Sequence, residues 1–311
     1  MKQKIPHLID QKHRGKSFPW QHPKSLTEDP EAHKRTEQIV KSPSYIIAEQ
    51  DTDFLQQHET LGVRLDLDYL KAELLLQQHG IEQTIVVFGS SRIIEEKTAK
   101  QQLESAQKAL KKSPNSAKEI KSIKIAERIF DKSRYYTIAR TFGQLVGKAG
   151  KGPTDSRTTL MTGGGPGIME AANRGAFDVG AKSIGLNISL PHEQFPNPYI
   201  TPELCFQFHY FAIRKLHFLE RAKALVVFPG GFGTIDELFG ALTLIQTRKI
   251  EPIPIVLVGK EYWKHIMDMD FFEYEGVIDL EERSLFWYAE DAQEIWESLL
   301  TWHRLNQTSL F

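Results

Sequence analysis

Along this chain, short uniformly apolar runs alternate with longer stretches whose apolar residues recur every three or four positions. The first run is TIVVFGS, residues 84–90; later ones are TTLMTGG (158–164), KSIGLNISL (182–190), ALVVFPGG (224–231) and PIVLVG (254–259). LCFQF (204–208) reads as a shorter strand. Apolar runs of this kind, rich in β-branched residues, are expected of strands buried on both faces. Between them the helical period predicts helices over 95–112, 116–149, about 167–179, 210–222, about 234–247, from Tyr262 onward, and about 290–304. Ser113-Pro114-Asn115 separates the first two. Such alternation of apolar strands with helices predicts an α/β fold: a doubly wound, mostly parallel sheet with helices on both faces.

The first eighty residues follow a different pattern. Pro6, Pro19, Pro23, Pro30 and Pro43 are spread among charges over 1–44, so this arm is read as irregular with short helical pieces. Residues 66–79 place Leu67, Leu70, Leu74 and Leu75 at helical spacing, with Gly80 as the stop, and the leucine side is expected to be buried.

Length and composition narrow the picture. A chain of 311 residues with 41% hydrophobic and 25% charged residues can bury a sizeable core and is not a disordered chain. The 39 Lys and Arg nearly balance the 40 Asp and Glu, which argues against a globally polybasic nucleic-acid binder. Cys205 is the sole cysteine, so no intramolecular disulfide, Cys-based zinc site or iron–sulfur centre can form. With no apolar run of signal-peptide or membrane-spanning length, a cytoplasmic protein without membrane contact is expected. Charge is nevertheless uneven: residues 95–134 carry a net charge of +5 and residues 270–299 a net charge of −9. Both read as solvated helical faces, able to offset one another across a subunit contact.

Three strand-to-helix junctions have unusual composition. They are Phe88-Gly89-Ser90-Ser91-Arg92, Gly163-Gly164-Gly165-Pro166-Gly167 and Pro229-Gly230-Gly231-Phe232-Gly233-Thr234. In an open α/β sheet, ligands bind where strand carboxyl ends meet helix N-termini. Glycine permits close backbone approach, and the free N–H groups and dipole of a helix start favour an anion. Two glycine-rich turns at one sheet edge therefore indicate a phosphorylated ligand, although a single such turn can also be only a tight connection. None is GxGxxG or a Walker A loop, which weakens the dehydrogenase and nucleoside-triphosphatase readings.

The third loop continues as Thr234-Ile235-Asp236-Glu237, which is also the spacing of a capping box, and this role stands beside a catalytic one. Arg214-Lys215 lies on a helix just before the strand that feeds the loop. Adjacent helical residues point about 100° apart, so at most one of the pair aims directly at a given ligand. No compact His/Cys/Asp cluster suggests a metal site.

Together, MTGGGPGIMEAANRGA (161–176), Arg214-Lys215 and VVFPGGFGTIDEL (226–238) closely resemble the Lonely Guy (LOG) family of nucleoside-5′-monophosphate phosphoribohydrolases, many of whose relatives carry the misleading label "lysine decarboxylase". The hallmark PGGxGTxxE runs from Pro229 to Glu237 without a mismatch, and the resemblance covers roughly 84–92 and 135–260. It implies a Rossmann-like sheet, commonly in a homodimer, and hydrolysis of the N-glycosidic bond of a nucleoside monophosphate to free base and ribose 5-phosphate. It implies Arg214 and Glu237 as catalytic residues, and Gly230, Gly231, Gly233 and Thr234 as the phosphate-binding loop. Gly163, Gly164, Gly165 and Gly167 are implied to face the nucleotide, with Ser90 and Lys215 also in contact with substrate. No metal or other cofactor is called for. On this basis 1–80 is an N-terminal extension, and 81–311 a nucleotide-binding domain with a helical insertion at about 93–134.

The extension and the insertion both depart from the small family members, which leaves the base open between cytokinin-type and ordinary purine or pyrimidine. A non-catalytic binder or carrier of the same fold is the main alternative; keeping both Arg214 and Glu237 favours the enzyme. Nucleic-acid binding through 95–134 is the next reading. It is disfavoured because the lysines are interleaved with acids and only Phe130 precedes Tyr135 and Tyr136 as an aromatic. Pyridoxal-dependent decarboxylation rests on the family label alone.

Overall fold

The computed structural model describes residues 15–16, 22–191 and 195–311. Pro6 and Pro19 of the N-terminal arm, and the start of the proline-rich tract at 192–203, lie outside them. The chain divides into two compact bodies, Met1–Arg64 and Leu65–Phe311.

In the first body the expected short helical pieces are present: α1 (Ala32–Val40) and the single turn α2 (Thr52–Leu55), with tighter turns at Pro43–Tyr45, Ala48–Gln50 and His58–Thr60. Asp51 caps α2 by accepting from the Phe54 N–H at 2.9 Å. Thr60 donates its hydroxyl to the carbonyls of Leu55 and Gln57, both at 2.8 Å. No residue of α1 is buried.

The long helix α3 (Leu61–Gln78) carries the chain into the second body. Then follow β1 (Gln83–Phe88), α4 (Glu96–Lys112), α5 (Ala117–Lys132), α6 (Arg134–Lys148), β2 (Thr158–Thr162), α7 (Ile168–Asp178), β3 (Ser183–Ile188) and β4 (Cys205–Phe208). The remainder is α8 (Phe211–Glu220), β5 (Ala222–Val227), α9 (Phe232–Gln246), β6 (Ile255–Val258), α10 (Lys260–Ile266), α11 (Met269–Tyr274), β7 (Trp287–Ala289) and α12 (Ala292–Leu305). Among the described residues the strands form one seven-stranded sheet in the order β4-β3-β2-β1-β5-β6-β7, parallel throughout. This is the Rossmann-like, doubly wound architecture.

The chain winds outward from β1 through β2, β3 and β4, then returns to place β5 on the other side of β1. The crossovers before and after this reversal lie on opposite faces, so the sheet opens a crevice beyond the carboxyl ends of β1 and β5. Alternate residues of β1 serve the two faces. Val86 and Phe88 join α3, α8, α9 and α10 in one core through Leu76, Phe218, Leu238 and Trp263. Ile85 and Val87 join α6, α7 and α12 in the other through Phe142, Ile168, Ala172 and Ile295.

Three expectations are corrected. On α3 the buried residues are Ala72, Glu73 and Leu76, while Leu67, Leu70 and Leu74 are exposed. Position 73 faces inward because its carboxylate meets Arg221, at the end of α8, in a largely buried ion pair, so one polar anchor sets the rotation of the helix. The helix predicted over 116–149 is two, because the Ser133 hydroxyl donates to the Phe130 carbonyl at 2.7 Å and competes with the helical ladder there. Finally β7 and α11 had no signal in the sequence, being too short to show a period. Gly80 does end α3 in the left-handed region, at φ 68°.

Candidate functional site

A cavity of about 730 Å³ opens over the carboxyl ends of β1, β2 and β5. The loop after β1 contributes Gly89, Ser90, Ser91 and Arg92, and the loop after β5 contributes Pro229 through Thr234. One backbone unit ties these turns together. The Ser90 N–H donates to the Pro229 carbonyl at 3.0 Å, and the Ser90 carbonyl accepts from the Ile168 N–H at 3.1 Å. The start of α7 is thus held against the crevice, and Gly167, at φ 75°, passes so close to Ser90 that a Cβ would lie 2.4 Å from its carbonyl.

The predicted site residues divide into two groups. Ser90, Gly163, Arg214, Gly230, Gly231, Gly233, Thr234 and Glu237 line the cavity. Gly164, Gly165, Gly167 and Lys215 do not line it. Gly164 and Gly165 are buried behind the wall, where the Asn197 N–H donates to the Gly164 carbonyl at 2.9 Å and its side-chain amide donates to the Gly165 carbonyl at 3.1 Å. Asn173, fully buried on α7, joins Thr162, Ser183 and Asn197 into the same network. Lys215 turns away as its helical position requires, and its ammonium pairs with Asp236 at 2.9 Å.

Arg214 enters the cavity wall from α8. Its Nε donates to the Leu186 carbonyl at 2.7 Å, and its guanidinium lies over the Phe218 ring at 5.0 Å. Burial pulls its pKa below the usual value, with the Glu237 carboxylate opposing, but an arginine remains charged in proteins. Glu237 faces the same space from the first turns of α9. Burial pushes its carboxyl above the ordinary range, against the opposing pull of Lys215 and then Arg214. No described residue hydrogen-bonds to its side chain, so the carboxylate is held by its helix and left open to the cavity.

The capping-box reading of Thr234-x-x-Glu237 does not hold. Helix α9 begins three residues earlier than that reading needs, with Gly231 as its N-cap and no side-chain cap. Thr234 is instead buried beneath the loop, and a Cβ on Gly230 would collide with its side chain. This leaves backbone N–H groups at the start of a four-turn helix pointing at the cavity, a favourable place for an anion.

Several lining residues were not singled out from the sequence. Tyr262 of α10 donates its hydroxyl to the Gly230 carbonyl at 2.6 Å and so fixes the loop from outside. Phe211 and Phe232 are exposed aromatics at the cavity wall. Ile125, Arg128, Ile129 and Lys132 come from α5, inside the insertion. Nothing local marks these positions, because the approach of α5 to the sheet edge is a tertiary event.

Away from the cavity, Glu73, His217 and Glu220 each place a ligand atom within 4.8 Å of the others. The Arg221 guanidinium already hydrogen-bonds Glu73 and supplies the positive charge in that cluster. No helix among the described residues is long and apolar enough to cross a membrane.

A family model described as "Possible lysine decarboxylase" matches residues 169–299, a span that includes Arg214 and Pro229 through Glu237. Among curated proteins, the chain is similar to a probable cytokinin riboside 5′-monophosphate phosphoribohydrolase, LOG4, from Oryza sativa subsp. japonica. The two are 28% identical over 151 residues, 47% of this chain and 64% of the relative, just under two thirds of its length. A second rice protein of the same description, LOGL3, is 26% identical over 152 residues, 45% of this chain and 67% of the relative. Of solved structures, an X-ray structure of TM1055 matches with a TM-score of 0.42 at 19% identity, covering 70% of this chain and 99% of that one. A molybdenum cofactor binding protein from Rippkaea orientalis matches at 0.40 and 18%, covering 71% of this chain and 96% of that one. The family model and the curated relatives together, with the unbroken PGGFGTIDE motif placed at the crevice of the sheet, make this chain similar to the LOG family.

Proposed function

We propose that the chain hydrolyses the N-glycosidic bond of a nucleoside 5′-monophosphate, releasing the free base and ribose 5-phosphate. The observation that carries this reading is one cavity lined by both Arg214 and Glu237, with the start of α9 beside them.

The chemistry follows from the bond. Cleavage breaks C1′–N, the electron pair leaves with the base, and positive charge develops on the ribose as oxocarbenium character. A carboxylate beside C1′ stabilises that charge and orients the water whose oxygen forms the new bond to C1′. Glu237 suits this because it has no competing hydrogen bond, and two cations keep its ionised form accessible despite burial. The water gives up one proton, to the carboxylate or solvent, and the base takes one. Arg214 is held by Leu186 through Nε, leaving its terminal nitrogens to hold the nucleotide in register. A 5′-phosphate on the N–H groups of Gly231, Phe232 and Gly233 anchors the substrate, and that remote binding energy positions the reacting carbon.

The relatives' names point the same way, as phosphoribohydrolases of cytokinin riboside monophosphate. We further propose a homodimer acting in the cytoplasm. The direct test incubates the purified chain with a panel of nucleoside monophosphates and separates released base by chromatography. Release of base from at least one is expected; none from any would overturn the reading.

A further inference from the structure

Four lining residues of the cavity come from one helix of the insertion: Ile125, Arg128, Ile129 and Lys132 of α5. Their spacing is i, i+3, i+4 and i+7, which places all four on a single stripe. On another side of the helix Ala126 is buried, and α4 packs along it. The insertion is thus a helical hairpin with one side committed to packing and a separate stripe turned to the crevice.

That stripe alternates apolar and cationic residues. Ile125 is 48% exposed on it and, with Ile129, gives the cavity an apolar lining on this side. Arg128 and Lys132 form no ion pair with any described residue, and neither does Arg92, which lines the cavity from the loop after β1. The nearby acid Asp236 is already paired with Lys215. By contrast Arg134 and Arg140, just beyond on α6, are engaged by Tyr135 and by Asp178. Arg128, Lys132 and Arg92 line the cavity that also receives the start of α9, whereas the lysines of α4 and the other lysines of α5 do not.

We infer that α5 is part of the nucleotide site, with Arg128 and Lys132 binding the phosphate of the substrate and Ile125 and Ile129 forming an apolar wall against it. The inference rests on the proposed nucleotide chemistry for the ligand class, but not on hydrolysis. It gives the insertion a local role, which is to close one side of an open crevice with charge that a bare βα-loop edge lacks. The two cations are half-exposed or exposed in the free protein, so they are free to reorient onto a ligand, and charge-assisted hydrogen bonds to phosphate are the strong class.

The test uses the full chain carrying Glu237→Gln, which prevents turnover during titration, with AMP and adenosine as probes in calorimetry at fixed salt. Arg128→Ala with Lys132→Ala is expected to weaken AMP about tenfold or more, as loss of charged hydrogen bonds does. Adenosine affinity should stay within twofold. Replacing Lys108, Lys111 and Lys112 of α4 with alanine removes more charge from the same hairpin, away from the cavity, and should leave AMP affinity unchanged. AMP binding within twofold of the parent in the α5 variant would overturn the inference. So would equal weakening of adenosine, which would place the contact on the nucleoside, or equal weakening by the α4 control, which would make it general electrostatics. Failure of AMP to bind the parent overturns it as well. If wild type releases no base from any monophosphate while the α5 variant still loses AMP affinity, hydrolysis falls and the assignment of α5 stands.

Discussion

Gly163 and Arg214 occupy the same corner of the cavity: a Cβ on Gly163 would lie 2.5 Å from Nη2 of Arg214 and 2.9 Å from Sδ of Met169. The absence of a side chain at the end of β2 is therefore what lets the arginine of α8 reach the crevice. Both obstructing atoms are far ends of flexible side chains, so Gly163→Ala should fold, its melting temperature within a few degrees of wild type. Arg214 would be displaced by about 1 Å, and turnover should fall roughly 10- to 100-fold. Parallel thermal melts and base-release rates check this; wild-type turnover would show that Arg214 does not need this position.

Glu237→Gln separates function from stability. The side chain keeps its shape and loses its charge, and base release should fall by roughly 10²- to 10⁴-fold. Stability should move the other way. Burial raises the folded-state pKa, so the protonated form is the one the fold favours, and that contribution is lost as pH rises from the ordinary carboxylate value through the raised one. At neutral pH the wild type holds a buried carboxylate and the variant does not. The variant should therefore melt at or above the wild-type temperature at pH 7, and the difference should shrink as pH falls through the raised value and be gone below about pH 4.5. The same pKa shift places the acid limb of the rate profile above the usual carboxylate range. A variant clearly less stable at pH 7 would contradict the burial argument.

The phosphate anchor predicts discrimination between nucleoside and nucleotide. Adenosine should be at least 100-fold poorer than AMP in kcat/KM, since a dianion on helix N–H groups supplies several kcal/mol. Equal rates would remove the anchor from the mechanism.

The Glu73–Arg221 pair between α3 and the end of α8 governs stability, not chemistry. Both side chains are 12% exposed, and Arg221 hydrogen-bonding holds the Glu73 carboxyl below its ordinary value. Arg221→Met leaves a carboxylate with no counter-charge and should cost about 3 kcal/mol at neutral pH. With Glu73→Gln added, most of that loss should return. The Glu73 contribution is present above the ordinary carboxylate value and disappears as pH falls through the depressed one, so the single variant and wild type should converge in acid. Denaturant melts at two pH values decide it.

Assembly is checked by sedimentation at micromolar concentration. A homodimer or larger species is expected, and Leu67, Leu70 and Leu74 offer an exposed apolar stripe on α3 for it. Leu70→Asp with Leu74→Asp should shift the population toward the 35.6 kDa chain. A wild-type protein found only at that mass would rule the dimer out.

The sequence alone determined the sheet and its glycine turns, because apolar β-branched runs and glycine act through the local backbone. Strands β1 to β6 and the junctions at Gly89, Gly163 and Gly230 were legible for that reason. So was the division of labour in Arg214-Lys215, since helical geometry sends neighbours apart and only Arg214 lines the cavity. What the sequence could not decide was anything set by packing between distant elements. The leucines of α3 looked like its buried side, but Glu73 faces inward because Arg221, 148 positions away, meets it there. Thr234 and Glu237 fit a capping box, yet α9 starts at Phe232 because the Gly230-Gly231 turn is pinned by Tyr262. Gly164, Gly165 and Gly167 looked equivalent to Gly163, but the buried amides of Asn187 and Asn197 and the backbone of Ser90 claim the space around them. The insertion carried only charge in the sequence. That Arg128 and Lys132 reach the crevice depends on how the hairpin of α4 and α5 packs on the rest of the fold, which no local pattern records.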